Sequence, residues 1–218
     1  LGENFRRKAR FCADGHKTEA PTSVTYSTVV SRDSVRIILL IAALNDLDIL
    51  SGDIQNAYLT APNREKVWIR AGDEFKYVSG MQDLIGKVLI VTRALYGLKS
   101  AGASFRAFLA KKLDSMSFKS SVADPDVWLR PAVKPDKEEY YEYILVYVDD
   151  IISVSHAPMD IMNEITNTFK FKGDKCAEPE IYLGARLQKK YVGNKPCWTM
   201  TSVDYVNAGV KNVEEVLK

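Results

Sequence analysis

The sequence of 218 residues lacks the features that mark secreted, zinc-binding and membrane proteins. Its three cysteines, Cys12, Cys176 and Cys197, have neither an even count nor the spacing of metal ligands. The longest apolar run, residues 37–44, is far shorter than the roughly 20 residues that a membrane-spanning helix needs. There is also no signal peptide pattern. We therefore expect a reducing intracellular environment and no membrane partner.

Positive and negative charges are nearly balanced, since the formal net charge is only +2. This balance alone does not indicate nucleic acid, but the basic side chains are unevenly distributed. Several crowd the N-terminal segment: Arg6, Arg7, Lys8, Arg10 and Lys17. Such a cluster is typical of a phosphate-contacting surface, and it fits a solvated basic segment equally well. Because the chain begins with leucine, we expect it to be a segment of a longer polyprotein.

The most informative stretch is YILVYVDDIISV, residues 143–154, in which two adjacent carboxylates interrupt two apolar runs. The runs are rich in β-branched and aromatic residues, which predicts a β-hairpin with Asp149 and Asp150 at its tip. A solvated turn is the ordinary explanation of such a pair, because aspartate is a frequent turn residue. Val148 is a poor turn residue, however, so we expect Val148 or Asp149 to have a strained backbone. Uncompensated charges there would need a cation.

A second acidic position lies upstream, in LDILSGDIQNAYLTAP at residues 47–62. The pattern predicts a short strand that ends at Asp53. Asp48 is a further candidate, but Asp53 precedes apolar residues, Ile54 and residues 57–59, which suggest a packed wall beside its carboxylate. The histidines, His16 and His156, are expected at the surface and not in catalysis.

Asp53 and Asp149 are 96 positions apart, yet both are best explained if they share a cation. Two-metal phosphoryl transfer uses oxygen ligands that hold two Mg²⁺ ions about 3.5–4 Å apart. We therefore predict that the two carboxyl groups converge to within roughly 6 Å.

Taken together, these residues resemble the reverse transcriptase domain of copia-type LTR retrotransposons. The resemblance covers nearly the whole chain, and its motifs occur in the order of that family. They are Lys8-Ala9-Arg10, Asp53 with Tyr58 five residues later, Leu95-Tyr96-Gly97-Leu98-Lys99, Ala123-Asp124-Pro125, Tyr147-Val148-Asp149-Asp150 and Tyr182-Leu183-Gly184.

The resemblance implies an RNA-directed DNA polymerase that extends a primer on an RNA or DNA template with deoxynucleoside triphosphates, using two Mg²⁺ ions, with Mn²⁺ as an alternative. It also implies an α+β palm-and-fingers fold whose mainly antiparallel palm sheet is backed by helices. Residues 1–46 and 60–92 would be fingers-like, 47–59 and 93–180 palm, and 181–218 a connection towards a truncated thumb. The remaining partners would be other segments of the polyprotein, in a cytoplasmic particle or the nucleus, where the element's DNA is integrated.

Roles for single residues follow from the same resemblance. Asp53, Asp149 and Asp150 would be the catalytic metal ligands. Tyr58 would exclude the ribose 2′-hydroxyl by contact, and the alternative is a core aromatic beside a strand. The other substrate-binding residues implied are Lys8, Arg10, Lys99, Ser100 and Tyr147.

The chain also departs from the family pattern. Where the family carries Gln-Ala-Pro after LYGLK, this chain has Ser100-Ala101-Gly102, and Thr28 replaces a proline. The fold should survive, because serine can donate a hydrogen bond and glycine is tolerated at a helix start. Two alternatives therefore stand beside an active enzyme. One is a weakened or inert nucleic-acid-binding remnant, and the other is a nucleotide cyclase, against which LYGLK and the basic N-terminus argue.

Periodicity predicts the secondary structure in outline. Residues 1–30 form an irregular basic arm, and Ser31 caps a helix that continues to about residue 47. The remaining predicted helices are 100–116, 158–169 and one from about 202, and the strands are 67–70, 87–92, 127–129, two within 140–154, 181–187 and 197–201. A polar surface loop is predicted at 131–140.

Overall fold

The computed structural model describes residues 10–22 and 24–217. Its contacts divide the chain into two compact units. Of the described residues, the first unit takes in those up to Ser27 together with residues 56–110, and the second takes in residues 28–55 and those from Lys111 onward. These units do not test the expected limits of fingers, palm and connection, which stay a prediction.

The described chain contains five α-helices and ten strands. The helices are α1 Arg32–Leu44, α2 Ala57–Thr60, α3 Ala101–Ser115, α4 Pro158–Thr166 and α5 Val203–Val216. The strands are β1 Asp48–Asp53, β2 Trp68–Arg70, β3 Val88–Ile90, β4 Lys119–Ser120, β5 Val127–Val133, β6 Glu139–Tyr147, β7 Asp150–Ser155, β8 Ile181–Tyr182, β9 Ala185–Val192 and β10 Lys195–Thr201. Short 3₁₀ helices lie at Gly15–Lys17, Asp73–Tyr77, Gln82–Leu84 and Lys172–Asp174.

The second unit is built on a five-stranded sheet in the order β1-β7-β6-β5-β4, with every neighbouring pair antiparallel. A separate three-stranded sheet in the same unit has the order β10-β9-β8. In the first unit, β2 pairs with β3 as a two-stranded ribbon. The mixed architecture of helices and antiparallel sheet confirms the coarse fold class predicted from the sequence.

Strand β7 is the best buried strand of the large sheet, because helices cover it on both faces. Residues 151–155 are all buried. Ile152 and Val154 belong to an apolar cluster that includes the buried face of α1, and Ser153 donates a hydrogen bond to the carbonyl of Pro158 at the start of α4. A strand covered on both faces reads as a continuous apolar run. Strand β7 departs from this pattern at Ser153 and Ser155, which are buried and whose hydroxyl groups donate hydrogen bonds to the Pro158 carbonyl and to Glu142.

Helix α1 begins where the sequence predicts, because the Ser31 side chain accepts a hydrogen bond from the Ser34 backbone N–H. It ends at Leu44, three residues before the predicted end. The Asn45 side-chain amide donates to the Ile41 carbonyl at 2.8 Å, and Asp46 adopts a positive φ of 52°. Both features close the helix early.

The predicted loop at 131–140 is wrong at both ends, since residues 131–133 continue β5 and Glu139 begins β6. Pro131 argues against a strand in sequence analysis because it lacks a backbone N–H. Beyond Leu129, however, β5 has a paired strand on one side only. This is the position in a sheet where proline is tolerated. The two-residue strand β4 and the single-turn helix α2 were not predicted.

None of the helices in the described part of the chain is long and apolar enough to cross a membrane.

Candidate active site

The hairpin formed by β6 and β7 has the tight turn predicted from the sequence. Tyr147 pairs with Asp150, which leaves Val148 and Asp149 as a two-residue loop. Val148 has a positive φ of 56°. Two-residue hairpins favour positive φ in the loop, and a β-branched side chain tolerates it badly, at a cost of roughly 1–2 kcal/mol. The strain predicted at this turn is therefore confirmed, and the rest of the sheet holds it in place.

Strand β1 brings Asp53 to the same end of the sheet. It runs antiparallel to β7, with Asp53 directly opposite Asp150. The next residue, Ile54, donates its backbone N–H to the carbonyl oxygen of Asp149 at 2.8 Å. Like charges directly opposite each other are destabilising, so a cation near these carboxylates would relieve a cost that the fold imposes. The predicted convergence of Asp53 with the hairpin tip is confirmed for the backbone, and the separation of the carboxyl groups stays a prediction.

Residues 170–177 run along the edge of β1 that faces away from β7. They lie beside the end of the sheet that carries Asp53, Asp149 and Asp150, which we call the acidic corner. The Gln55 N–H donates to the carbonyl of Lys170 at 2.8 Å. The Ser51 N–H donates to the carbonyl of Ala177 at 2.7 Å, and the Ala177 N–H donates back to Ser51 at 3.1 Å. The segment carrying residues 170–177 is therefore fixed to β1 by main-chain hydrogen bonds on both sides of Asp53.

A close approach between Gly52 and Phe171 supports the same arrangement. A Cβ atom at Gly52 would lie 2.7 Å from the Phe171 ring, which is closer than real side-chain contacts. Phe171 itself is buried, with 2% of its surface exposed. A glycine at this position of β1 allows the ring to seat against the strand. The residue that follows the ring, Lys172, is thereby directed to the acidic end of the sheet.

Lys172 forms an ion pair with Asp53, with 2.8 Å between the lysine Nζ and Asp53 Oδ2. The hydrogen bond to Asp53 and its charge raise the pKa of Lys172, and the charges of Asp149 and Asp150 raise it further. Burial of part of its carboxyl group raises the pKa of Asp150. Asp149 and Asp53 add to that rise, and Lys172 opposes it. One ammonium group thus faces three carboxylates, and the corner has a surplus of negative charge.

These carboxylates suit a hard divalent cation, because Mg²⁺ prefers oxygen ligands from carboxylates. They are not drawn together around a common centre, since within residues 10–22 and 24–217 no group of three or more His, Cys, Asp or Glu side chains could hold a metal ion as placed. Lys172 already engages one oxygen of Asp53. The donor set therefore fits the ion in its chemistry, and binding would require the carboxylates to turn towards one another.

Three of the other predicted substrate-binding residues lie in the first unit. The guanidinium carbon of Arg10 lies 5.6 Å from the centre of the Tyr96 ring. Lys99 donates through Nζ to the carbonyl of Thr18 at 2.9 Å. Ser100 is buried just before α3, and its hydroxyl has no hydrogen-bond partner in the part of the chain that the structure describes. Lys8 lies outside the described residues.

The two tyrosines predicted at the site have aromatic neighbours. Tyr58 lies in α2 of the first unit, with its ring centre 5.3 Å from that of Tyr96 and 6.1 Å from that of Phe105. Tyr147, at the end of β6, has an edge-to-face contact with Tyr182 at 6.4 Å. The contacts of Tyr58 fit the alternative of a packed aromatic as well as a substrate contact, and its role stays a prediction.

Sequence reasoning missed Lys172, although a signal was present. Phe169 and Phe171 alternate with Lys170 and Lys172, and both phenylalanines are buried while both lysines are exposed. Such alternation indicates an extended segment with one face on a core. It could have placed two lysines on the outer side of a strand-like segment, but not beside Asp53.

Residues 2–216 match the family described as reverse transcriptase (RNA-dependent DNA polymerase). The chain is 28% identical over 195 residues to the retrovirus-related Pol polyprotein from transposon RE1 of Arabidopsis thaliana, a match that covers 88% of this chain and 13% of the relative. It is also 28% identical over 151 residues to the Pol polyprotein from transposon TNT 1-94 of Nicotiana tabacum, covering 68% of this chain and 11% of the relative. The chain is likewise 28% identical over 153 residues to the Pol polyprotein from transposon RE2 of Arabidopsis thaliana, a match that covers 69% of this chain and 10% of the relative.

The chain thus spans between a tenth and about an eighth of the length of these relatives. The family match, in contrast, runs through both compact units and includes Asp53, the hairpin tip and the segment with Lys172. On this match, the chain belongs to the reverse transcriptase (RNA-dependent DNA polymerase) family.

Proposed function

We propose that this chain is an RNA-directed DNA polymerase domain of a retrotransposon, which extends a primer with deoxynucleoside triphosphates. One observation carries the proposal: the pairing of β1 with β7 sets Asp53 opposite Asp150, beside the strained turn that presents Asp149. The strand and the turn thus bring three carboxylates to one end of the sheet, next to the strained residue Val148. A shared divalent cation explains all three.

In this proposal Asp53, Asp149 and Asp150 hold two Mg²⁺ ions, which Mn²⁺ can replace. Bound there, the ions would lower the pKa of the primer 3′-hydroxyl and stabilise the charge that develops on the triphosphate. The chain's own contribution is positioning, because the main-chain bonds of β1, β7 and residues 170–177 fix the backbone that carries the carboxylates before substrate arrives. No side chain other than the carboxylates is required as a base.

We also propose that the five-stranded sheet, with α1 and α4 packed on it, is the palm sheet of a palm-and-fingers polymerase. Since the relatives are Pol polyproteins, the remaining partners in this proposal are an RNA or DNA template with its primer and other segments of such a polyprotein.

Primer extension on an RNA template tests the function directly. Wild-type protein should extend the primer in Mg²⁺, and Asp149→Asn should lower the rate by about a hundredfold or more, because it removes a charged ligand from the ions. Asp160→Asn is the matched control, since Asp160 is an exposed aspartate in the first turn of α4. Equal rates for wild type and Asp149→Asn would contradict the proposed site.

A nucleic-acid-binding remnant is the second candidate, and the burial of Ser100 favours it. The family carries a glutamine at this position, and here the shorter side chain has its hydroxyl enclosed near the start of α3. A remnant would bind primer-template in a fluorescence anisotropy titration at fixed salt and would extend it in neither the wild-type nor the Asp149→Asn form. Extension by the wild type separates the two candidates.

A further inference from the structure

We propose that the Lys172 ammonium group is a built-in occupant of the cation position at Asp53, and that a divalent cation must displace it to bind. The inference rests on the proposed function in one respect, namely that Asp53, Asp149 and Asp150 are the cation ligands. It adds a residue that sets how strongly the site holds its metal.

The first argument is the contact itself. Lys172 Nζ lies 2.8 Å from Asp53 Oδ2, so it engages one of the oxygens that a metal would need. Acidic corners without a metal are relieved by any nearby positive charge, and here the fold supplies one from a residue 119 positions away.

The second argument is that the contact can be broken. The Lys172 side chain is 65% exposed and that of Asp53 is 34% exposed. Exposed ion pairs of this kind are weak, because water solvates both partners and the lysine loses side-chain freedom when it is held. A divalent cation has twice the charge of the ammonium group and can contact several carboxylates at once. It therefore displaces the lysine without any change in the sheet.

The third argument is that the competitor cannot diffuse away. Phe171 is buried beside Gly52, and the Lys170 carbonyl and the backbone of Ala177 are bonded to the β1 edge. The chain is thus held on both sides of Lys172. The competition of Lys172 with the metal is therefore intramolecular, with a high effective concentration that does not depend on the protein concentration.

Direct Mn²⁺ binding to the full chain, measured by electron paramagnetic resonance of the free ion, tests this without any nucleic acid. Lys172→Met keeps most of the stem and removes the charge, so it should bind Mn²⁺ roughly fivefold more tightly than wild type. Lys172→Arg keeps the charge and should bind as wild type does. Lys170→Met is the matched control, because it removes an equal charge from an exposed neighbouring lysine and should leave affinity unchanged.

The melting temperature gives a second measurement. Without metal, Lys172→Met should melt below wild type, because the three carboxylates lose their counter-ion. Mn²⁺ should then raise its Tm by more than it raises that of wild type. If circular dichroism shows that the methionine variant does not fold, Lys172→Gln takes its place with the same expectation.

The outcomes separate this inference from the proposed function. If wild type binds Mn²⁺ and Lys172→Met binds it equally or more weakly, Lys172 is not a competitor and the inference is overturned while the metal site stands. An equal gain in Lys170→Met would also overturn it, because the effect would then be one of net charge. If wild type binds no more Mn²⁺ than Asp53→Asn, the metal site fails, and this inference fails with it.

Discussion

Tyr182 has a hydroxyl group that burial separates from water. The side chain is 3% exposed, and its hydroxyl has no hydrogen-bond partner among the residues that the structure covers. Burial raises the pKa of Tyr182, and the nearby charges of Asp150 and Asp126 raise it further. An unsatisfied buried polar group costs about 1–3 kcal/mol, so this residue lowers the stability of the unit next to the acidic corner.

We expect Tyr182→Phe to leave the free energy of unfolding unchanged or to raise it by up to about 1 kcal/mol, because it removes only the unsatisfied hydroxyl. Tyr140→Phe is the matched control. The Tyr140 hydroxyl lies 3.0 Å from Ser155 Oγ and accepts a hydrogen bond from the His156 N–H at 3.3 Å. Its loss should cost about 1–2 kcal/mol in urea denaturation. A cost above about 1 kcal/mol for Tyr182→Phe would show that its hydroxyl is satisfied in solution.

Tyr58 is the residue whose role the sequence leaves between two interpretations. If it selects the sugar, Tyr58→Ala should raise ribonucleotide incorporation relative to deoxynucleotide incorporation by about a hundredfold, because the ring's overlap with the 2′-hydroxyl is removed. Single-nucleotide extension with each triphosphate measures this ratio. Tyr77→Ala is the control, since Tyr77 is an exposed tyrosine in the same unit, with 80% of its surface accessible. Unchanged discrimination together with a lower Tm would identify Tyr58 as a packed aromatic only.

At the scale of elements, the start of α1 depends on a loop that precedes β5. The Ser34 hydroxyl donates to Asp124 Oδ2 at 2.6 Å, and the Ser31 N–H donates to the same oxygen at 2.9 Å. The Asp126 N–H donates to Asp124 Oδ1 at 3.1 Å. Partial burial would raise the pKa of Asp124, but the hydrogen bonds from Ser34, Ser31 and Asp126 outweigh it and lower the pKa below 3.8. Asp124 thus fastens the helix to the sheet while it is ionised.

The pH dependence of the free energy of unfolding follows from the lowered pKa of Asp124. A carboxyl group with a lowered pKa in the folded state contributes stability above its unfolded pKa of 3.8, and this stability is lost as the pH falls through the folded value. Asp124→Asn should therefore lose about 1 kcal/mol at neutral pH, and its deficit against wild type should shrink as the pH falls below about 4. Urea denaturation at several pH values measures the deficit. A constant deficit across the acid range would contradict this role for ionised Asp124.

How far the sequence predicts an element depends on how local its determinants are. The start of α1 is predicted correctly because Ser31 and Ser34 are three residues apart. Its end is predicted too late, because the capping by Asn45 competes with an apolar pattern that continues to Leu47. β5 is predicted too short, because the tolerance of Pro131 depends on which side of the strand is paired, and that is decided by residues far away in the chain.

At the scale of the whole molecule, the candidate site was predictable where its chemistry is concentrated in sequence. The carboxylate pair in the hairpin and the strand ending at Asp53 were both visible, and a shared cation was reason enough to expect them together. The contact of Lys172 with Asp53 was not visible, since it spans 119 positions and the alternation of residues 169–172 indicates only an extended segment. Tertiary pairing of β1 with residues 170–177 produces that contact, and no propensity of either segment encodes it.

The same pairing has a consequence for self-association. β1 is an edge strand of the five-stranded sheet, and residues 170–177 occupy the outward backbone groups of Ser51. An uncovered edge is a template on which another chain can add a strand. Residues 170–177 therefore cover this edge of β1 and oppose strand addition by another chain, in addition to positioning Lys172.

Ala177→Pro removes the N–H that donates to Ser51, and it should weaken the pairing of residues 170–177 with β1. We expect the variant to form soluble oligomers or fibrils at concentrations where wild type is monodisperse, as measured by light scattering and thioflavin fluorescence. Ala177→Ser keeps the N–H at this exposed position and should behave as wild type. Monodisperse Ala177→Pro would mean that the strained hairpin and the charged end of β1 already deter strand addition. If the variant does associate, a break in the chain between residues 170 and 177 would expose the same edge of β1 and favour aggregation.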